Sequence, residues 1–461
     1  MPLPSRLLPG PLRPLSGPLT LYRAAVYGLI ALTAALALWN AYAVPGHQGY
    51  DNEQNVHYAH DLVHELQFGD PSDPHQNSYK PPGFYLLAGS LMVLGEQAHL
   101  KDERSVVQFT NALLVVATLV LVLLLARTIW PERRSLHLTA GAFLVFMPLT
   151  LKTAAMFHPG TLEMFLTALA LLLVARMLAQ RRFTWRASLA LLAVSGASIS
   201  VMAAGMWTYA AVVVALLVAG LGRYATWREL AAPLGLLVGV AMLVALPLYL
   251  RPNAPRTVPL LAGGGSNMHG GFFTHRPLDF YTNLGIPQVV TAPMRPNYAN
   301  KLLPTAYTET WGDYFGIWAW AAETPPDGAV TRKLQQQSWI GLLPTLLGIA
   351  GWAVLTLAAV RLTVRRRLEH TATLVPALAL TAIAWAGFLY YVSQFNSFDG
   401  DTLKGTFMLS AVPAWALVFA YAVDRVRRIP VIGIAIVFVL VGSALLSLPF
   451  LAFQFPLWGF S

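Results

Sequence analysis

Residues 81–95 read PPGFYLLAGSLMVLG, an apolar run set between Lys80 and Glu96. Whether this run crosses a membrane decides how the whole chain is read. As a helix rising 1.5 Å per residue it reaches about 22 Å, short of a hydrocarbon core about 30 Å thick. Eleven longer apolar runs surround it, at about 22–44, 105–126, 136–152, 161–179, 187–203, 204–222, 230–250, 339–360, 372–392, 405–423 and 430–450. Each is long enough to span and almost free of charge. With 81–95 left out of the count, six short clusters fall on one side: Arg6/Arg13/Arg23, Arg127/Arg133/Arg134, Arg176/Arg181/Arg182/Arg186, Arg223/Arg228, Arg361/Arg365/Arg366/Arg367 and Arg425/Arg427/Arg428. They hold 19 of the 31 Lys and Arg. Only Glu132, Glu229, Glu369 and Asp424 accompany them, which leaves 17 of the 21 acids opposite. Counting 81–95 as a span would invert every later loop and break this positive-inside pattern. The run is therefore predicted to be a juxtamembrane helix lying in the outer interface.

The fold class follows: an all-α polytopic protein of the cytoplasmic (inner) membrane, with about eleven transmembrane helices, outer juxtamembrane helices and a cytoplasmic N-terminus. Composition agrees. Hydrophobic residues make up 56% of the 461 and charged residues 11%, against about 25% charged in soluble proteins. The mean hydropathy is +0.55. The net charge of +10 is mainly a topology signal, not a nucleic-acid surface. Cysteine is absent, which removes disulfides, thiolate metal sites and thiol nucleophiles. Residues 1–21, with six prolines and no apolar period, read as a disordered cytoplasmic arm. Residues 22–461 read as one transmembrane domain with two long outer loops, 45–104 and 251–338. These loops hold most acids and most histidines, and loops of that length are usually functional or disordered.

The first outer loop opens GYDNEQNVHYAHDLVHELQFGD. Asp51 can cap a helix running to about Leu66, with Gln54 completing a capping box. Glu53 and His57 then share a face one turn apart. The pair His60 and His64 has the i, i+4 spacing of metal-binding helices, which leaves a divalent metal ion open. The competing readings are a solvated helix and a general base at Asp51 or Glu53. After the third span comes Phe157-His158-Pro159-Gly160-Thr161-Leu162-Glu163. Glu163 there either serves a site or simply favours the positive helix end. The stretch 309–318, ETWGDYFGIW, sets Glu309 and Asp313 one turn apart among Trp311 and Tyr314. Rings with an acceptor suit a sugar, and they equally suit an interfacial aromatic belt. The last outer loop carries Asp401 and Lys404 just before an apolar span. Outside the two long loops, Lys404 and Lys152 are the only basic residues on the outer side. An ammonium at a helix start opposes the dipole and calls for an anion, either Asp401 or a bound phosphate.

An acid after the first span, a histidine downstream and a loop ending Tyr79-Lys80-Pro81-Pro82-Gly83-Phe84-Tyr85 resemble the C-type membrane glycosyltransferases, in particular their protein O-mannosyltransferase and aminoarabinose-transferase branch. The resemblance covers the whole chain in architecture but only four short motifs in residues. It departs at Gly160, where an Asp is common. Acid-to-His spacing fits Glu53 and placement after the Gly/Tyr turn fits Asp51, so the base is divided between them, with Asp51 preferred.

The resemblance implies transfer of a sugar from a polyprenyl-phosphate donor to a glycan, lipid or protein acceptor on the outer face, with inversion. A polyprenyl phosphate leaves without protonation, so one carboxylate, Asp51 or Glu53, suffices to take the acceptor proton. Lys80 and Lys404 are candidates for the leaving phosphate. His57, Tyr79, Tyr85, His158, Glu163, Glu309, Trp311, Asp313, Tyr314 and Asp401 complete the candidate substrate site. The rival readings are a flippase or transporter for lipid-linked sugars, and a ligase or polymerase using a diphosphate-linked donor.

Overall fold

The computed structural model describes residues 19–66, 80–249, 276–298, 301–320, 326–394 and 403–453. Most of the N-terminal arm, Tyr79 and Asp401 lie outside the described residues. Within them all regular structure is helical. Among the described residues eight helices are long and apolar enough to cross a membrane: Leu19–Ala43, Arg104–Ile129, Gly160–Gln180, Trp227–Leu248, Gly328–Val364, Thr371–Ser393, Gly405–Val426 and Ile432–Leu451. The pair Arg134–Phe146 and Pro148–Ala154, bent by 55°, makes up to nine. Trp185–Val201 and Gly205–Leu221 are apolar but shorter. Together these elements account for each of the eleven apolar runs. The protein is an all-α, multi-pass membrane protein.

The packing is set by which helices can shed lipid contact. Gly405–Val426 is 89% buried over its apolar window, whereas Leu19–Ala43 and Ile432–Leu451 are 17% buried. The first is therefore central and the other two are peripheral. Arg104–Ile129 packs on Leu19–Ala43 and on Gly160–Gln180, and Val412–Val426 packs on Arg134–Phe146 and Gly328–Val364. The bend at 146–148 has a chemical cause. Pro148 begins the second half and cannot donate to the preceding turn. Thr150 Oγ1 donates to the carbonyls of Leu144 at 2.9 Å and Met147 at 2.8 Å, which satisfies part of the broken ladder.

Residues 83–97 form a 15-residue helix, below the length needed to span. It pairs with helix Asn52–His60 and the π-turn Asp61–Glu65 that continues it. The two run parallel: Asp51 meets Lys80 where both begin, and His64 lies 3.5 Å from Glu96 where both end. Gly89 permits the close approach, because a Cβ there would stand 2.4 Å from the Ala59 carbonyl oxygen. The segment also begins and ends at one level. Gln108 Nε2 donates to the Val44 carbonyl at 3.0 Å, and Asp102 packs directly on Gly46. A chain that leaves at Val44 and returns beside it by residue 108 makes no net crossing between.

Labelling checks this. The sequence has no cysteine, so His60→Cys and Glu96→Cys each offer a single thiol. Both are expected to react with an impermeant maleimide from the same side of sealed vesicles. Reaction from opposite sides would make 83–97 a span.

Candidate active site

Asp51 stands at the start of helix Asn52–His60 with φ 51°, in the left-handed region, and its side chain makes no cap hydrogen bond. The expected capping box is therefore not formed, and the left-handed turn leaves the carboxylate outside the helix. Asp is one of the few residues that adopt this conformation at modest cost. Both oxygens meet ammonium groups. Lys404 Nζ lies 2.8 Å from Oδ1, and Lys80 Nζ lies 3.2 Å from Oδ2. The Asp51 side chain keeps 32% of its surface exposed, against 22% for Lys80 and 12% for Lys404, so the triad lines a mouth rather than a sealed core. Burial pushes the Asp51 carboxyl up. The charges of Lys80 and Lys404 and their hydrogen bonds outweigh burial and hold it well below the usual carboxylate range.

Lys404 precedes a short 3-10 helix, Gly405–Ala411. The sequence points to Asp401 or a bound phosphate as its counter-ion; among the described residues its partner is instead the carboxylate of Asp51, 353 residues away in sequence. Lys80 also donates to Asn55 Oδ1 at 3.3 Å, and Tyr85 OH donates to the same oxygen at 3.0 Å. Asn55 Nδ2 donates to the Tyr50 and Phe157 carbonyls. Asn55, one turn after Asp51, thus ties helices 52–60 and 83–97 to the 157–160 turn.

His158 is buried in that turn. The Gly160 amide donates to its Nδ1 at 3.0 Å, so its proton sits on Nε2. Burial first, then the positive charges of Lys80 and Lys404, push His158 down to about 3, against the raising effect of Asp51. It is a neutral ring at ordinary pH. The site also explains Gly160. A Cβ there would stand 3.0 Å from His158 Nδ1 and 3.2 Å from Leu409 Cδ2, so a side chain would press on the ring. Glu163, 1% exposed, is occupied elsewhere: its Oε1 accepts from Ser198 at 2.6 Å, Thr167 at 3.2 Å and Thr208 at 3.4 Å.

Below the mouth lies a second charged group. Lys152, carried by the helix after the Pro148 bend, is 1% exposed. Its Nζ reaches Glu309 Oε2 at 3.3 Å, Asp313 Oδ1 at 3.6 Å and the Glu309 and Gly312 carbonyls at 3.2 Å. Asp313 Oδ2 accepts the Trp318 and Ala319 amides at 2.7 and 2.6 Å. Burial still pushes the Asp313 carboxyl up, because the neighbouring Glu309 opposes part of what Lys152 supplies. Tyr50 connects the two groups. Its hydroxyl donates to Glu309, and its ring lies 5.6 Å from the Lys404 ammonium and 6.0 Å from that of Lys152.

The structure thus brings Asp51, Lys80, Lys404, Tyr85 and His158 together. It places Glu309 and Asp313 one layer deeper, both fully buried. Trp311 donates to Thr345 Oγ1 at 2.8 Å and packs edge-on against Phe143, and Tyr314 stacks on Tyr298 at 4.8 Å. These rings fill the interior. Glu53 and His57 are exposed on the opposite face of helix 52–60. Tyr50, Asn55 and Lys152 were not on the candidate list. Lys152 had a signal, as one of two basic residues on the outer side beyond the long loops.

Among the described residues no three His, Asp or Glu converge as metal ligands. His60 and His64 stack on each other at 4.4 Å. Among the described residues the mouth offers one carboxylate, Asp51, and it has an ammonium on each oxygen.

The same arrangement of helices is found in solved structures. An oligosaccharyltransferase from Archaeoglobus fulgidus, crystallised with Zn and sulfate, superposes with TM-score 0.50 at 14% identity over 91% of this chain and 51% of that one. The archaeal oligosaccharyltransferase AglB from the same organism, with an inhibitory peptide and a dolichol-phosphate, gives 0.52 at 12% identity over 94% and 56%. The chain shares the fold of these two oligosaccharyltransferases over the helical region they have in common. ArnT from Cupriavidus metallidurans aligns over 88% of this chain and 78% of its own at 15% identity, with TM-score 0.38. The chain spans about half the length of the oligosaccharyltransferases it matches. No protein-family model and no curated protein matches the sequence.

The two charged layers differ in consequence. Lys152→Met leaves two buried carboxylates without their cation. The expected loss is about 3–5 kcal/mol of stability, read as a lower unfolding midpoint in detergent. Glu53→Gln, on the exposed face, is expected to stay within about 0.5 kcal/mol of the parent.

Proposed function

We propose that the protein transfers a sugar from a polyprenyl-phosphate donor to an acceptor at the outer face of the cytoplasmic membrane. Asp51 is the base, and Lys80 and Lys404 receive the donor phosphate. The observation that carries this reading is a half-exposed carboxylate held between two ammonium groups at a mouth of the helix bundle. The carboxylate accepts the proton of the acceptor hydroxyl as its oxygen attacks the anomeric carbon. The bond to the phosphate oxygen breaks, and the leaving phosphate keeps the electron pair. Direct displacement with one base inverts the anomeric centre. The charge that develops on the leaving oxygen needs cations already in place, and the two lysines supply them. Glu53 is the weaker candidate, because it faces outward from the helix that Asp51 begins.

Asn55, itself held by Tyr85, accepts from Lys80, and Tyr50 lies beneath Lys404. Neutral His158 adds a hydrogen-bond donor at Nε2 without adding charge. Glu309 and Asp313 act from below as scaffold for Tyr50, and the acceptor can be a glycan, a lipid or a protein.

Initial-rate measurements with a polyprenyl-phosphate sugar test this. Asp51→Asn is expected to lower turnover by roughly 10²–10⁴-fold with the fold retained. Near-normal turnover in both Asp51→Asn and Glu53→Gln would remove the base from the first loop altogether. Lys404→Ala is expected to weaken polyprenyl-phosphate binding, and Lys404→Arg to keep part of it, since charge is retained but shape changes.

The pH profile carries a signed expectation. A base must be ionised, and the Asp51 carboxyl is held below its ordinary value of about 4. The acidic limb of kcat/KM, which reports the free enzyme, should therefore lie below the ordinary carboxylate range. Lys80→Met removes one of the two charges that depress it, so the limb should move to higher pH. An unmoved limb would assign it to another group.

A further inference from the structure

The far end of the central helix carries a second concentration of charge. Asp424 lies near the end of helix Val412–Val426 and is 2% exposed. Three guanidinium groups converge on it. Arg427 donates to Oδ1 through Nη2 at 2.6 Å and Nε at 3.1 Å. Arg428 donates to Oδ2 and, through Nε, to the Asp424 carbonyl at 3.0 Å. Arg133, at the start of helix Arg134–Phe146, reaches Oδ2 at 3.5 Å. Two more arginines stand beside them on aromatic rings. Arg134 lies 5.7 Å from the Tyr22 ring, and Arg425 lies 5.1 Å from the Tyr421 ring, with its Nε 3.0 Å from the Tyr421 hydroxyl. Residues 130–137 and 421–431 together hold five Arg and two acids, Glu132 and Asp424, a surplus of three positive charges. Burial and the charges of Arg428 and Arg425 push Arg133 down, against Asp424, so the crowding is felt within the cluster.

The position says what would relieve it. The span that starts beside Lys404 ends at Val426, so the arginines sit about one hydrocarbon thickness, roughly 30 Å, from Asp51. The helices starting at Leu19 and Arg134 begin at the same end. This is the level of lipid phosphates. Guanidinium groups bind phosphate through paired N–H donors, and basic pockets between helices at this level take anionic headgroups. The Arg133, Arg427 and Arg428 side chains remain 18%, 27% and 33% exposed, within reach of a ligand at the rim. We infer that the Arg133/Arg134 and Arg425–Arg428 cluster is a binding site for the headgroup phosphate of an anionic membrane lipid, at the end of the bundle opposite Asp51.

The test uses the full-length protein in detergent, titrated with phosphatidylglycerol or phosphatidylcholine and read by native mass spectrometry. Phosphatidylglycerol is expected to be retained and phosphatidylcholine lost. Arg134→Gln with Arg425→Gln removes two charges and leaves the three partners of Asp424 in place. It should lower phosphatidylglycerol affinity by about tenfold or more, while the corresponding double Lys variant keeps most of it. Where the double Gln variant fails to fold, Arg425→Gln alone should give the same ordering at smaller amplitude. Equal retention of the two lipids, or undiminished affinity in the Gln variants, overturns the site. Complete competition by millimolar inorganic phosphate would make it a site for a free anion and overturn the lipid assignment.

Discussion

The carboxylate of Asp51, shared between Lys80 and Lys404, is the interaction on which the arrangement of the candidate site depends. It joins three segments far apart in sequence: the turn after the first span, the start of helix 83–97 and the start of the central span. Each ammonium would face the other's charge if the acid were missing, and the acid would be a partly buried lone charge if either lysine were missing. Such a group is stable only as a set. Its described members, one carboxylate and two ammonium groups, sum to one positive charge at a partly exposed place, which suits the phosphate proposed above. The same geometry therefore serves both the resting structure and the proposed chemistry.

The Lys152 layer makes that set rigid. A span broken at Pro148 would ordinarily leave backbone groups unpaired in lipid. Here the break turns Lys152 toward Glu309 and Asp313; the Tyr50 hydroxyl shares Glu309 Oε2 with Lys152, and the backbone amides of 315, 318 and 319 donate to the other oxygen of each carboxylate. The buried ion group thus fixes the 309–320 stretch against Tyr50, and Tyr50 is the residue before Asp51. Charge deep in the bundle is expensive, and it is tolerated because nearly every acceptor is used.

What could be read from sequence divides along the same physical line. Lipid demands long apolar runs and sorts arginines, so the eleven runs and the short character of 81–95 were legible without coordinates. Asp51 and Lys80 were legible from the motifs of the first outer loop, and Lys404 as an ammonium at a helix start. Their mutual contact was not, because no periodicity relates residue 51 to residue 404. The aromatic stretch at 311–318 shows the limit from the other side. Its composition suits a sugar platform, a belt or a core equally well, and only burial distinguishes them: Trp311, Tyr314 and Trp318 are each no more than 5% exposed. Asp51 as a helix cap was also a fair reading of the sequence. It failed because a carboxylate gains more from two ammonium groups than from backbone amides.

The central span joins two charge groups built on one plan. At each end an Asp is surrounded by more cations than it can neutralise, two lysines about Asp51 and three arginines about Asp424. The choice of cation differs in a way that fits the two environments. Lysine is a flexible point charge that can turn from a carboxylate to an incoming phosphate, whereas arginine holds a planar fork in a fixed orientation. The donor site proposed at Asp51 favours the first, and the headgroup site inferred at Asp424 favours the second. The distance between them is set by the hydrocarbon thickness. A positive site proposed for one boundary and another inferred for the opposite one would together define the protein's depth in the bilayer at both.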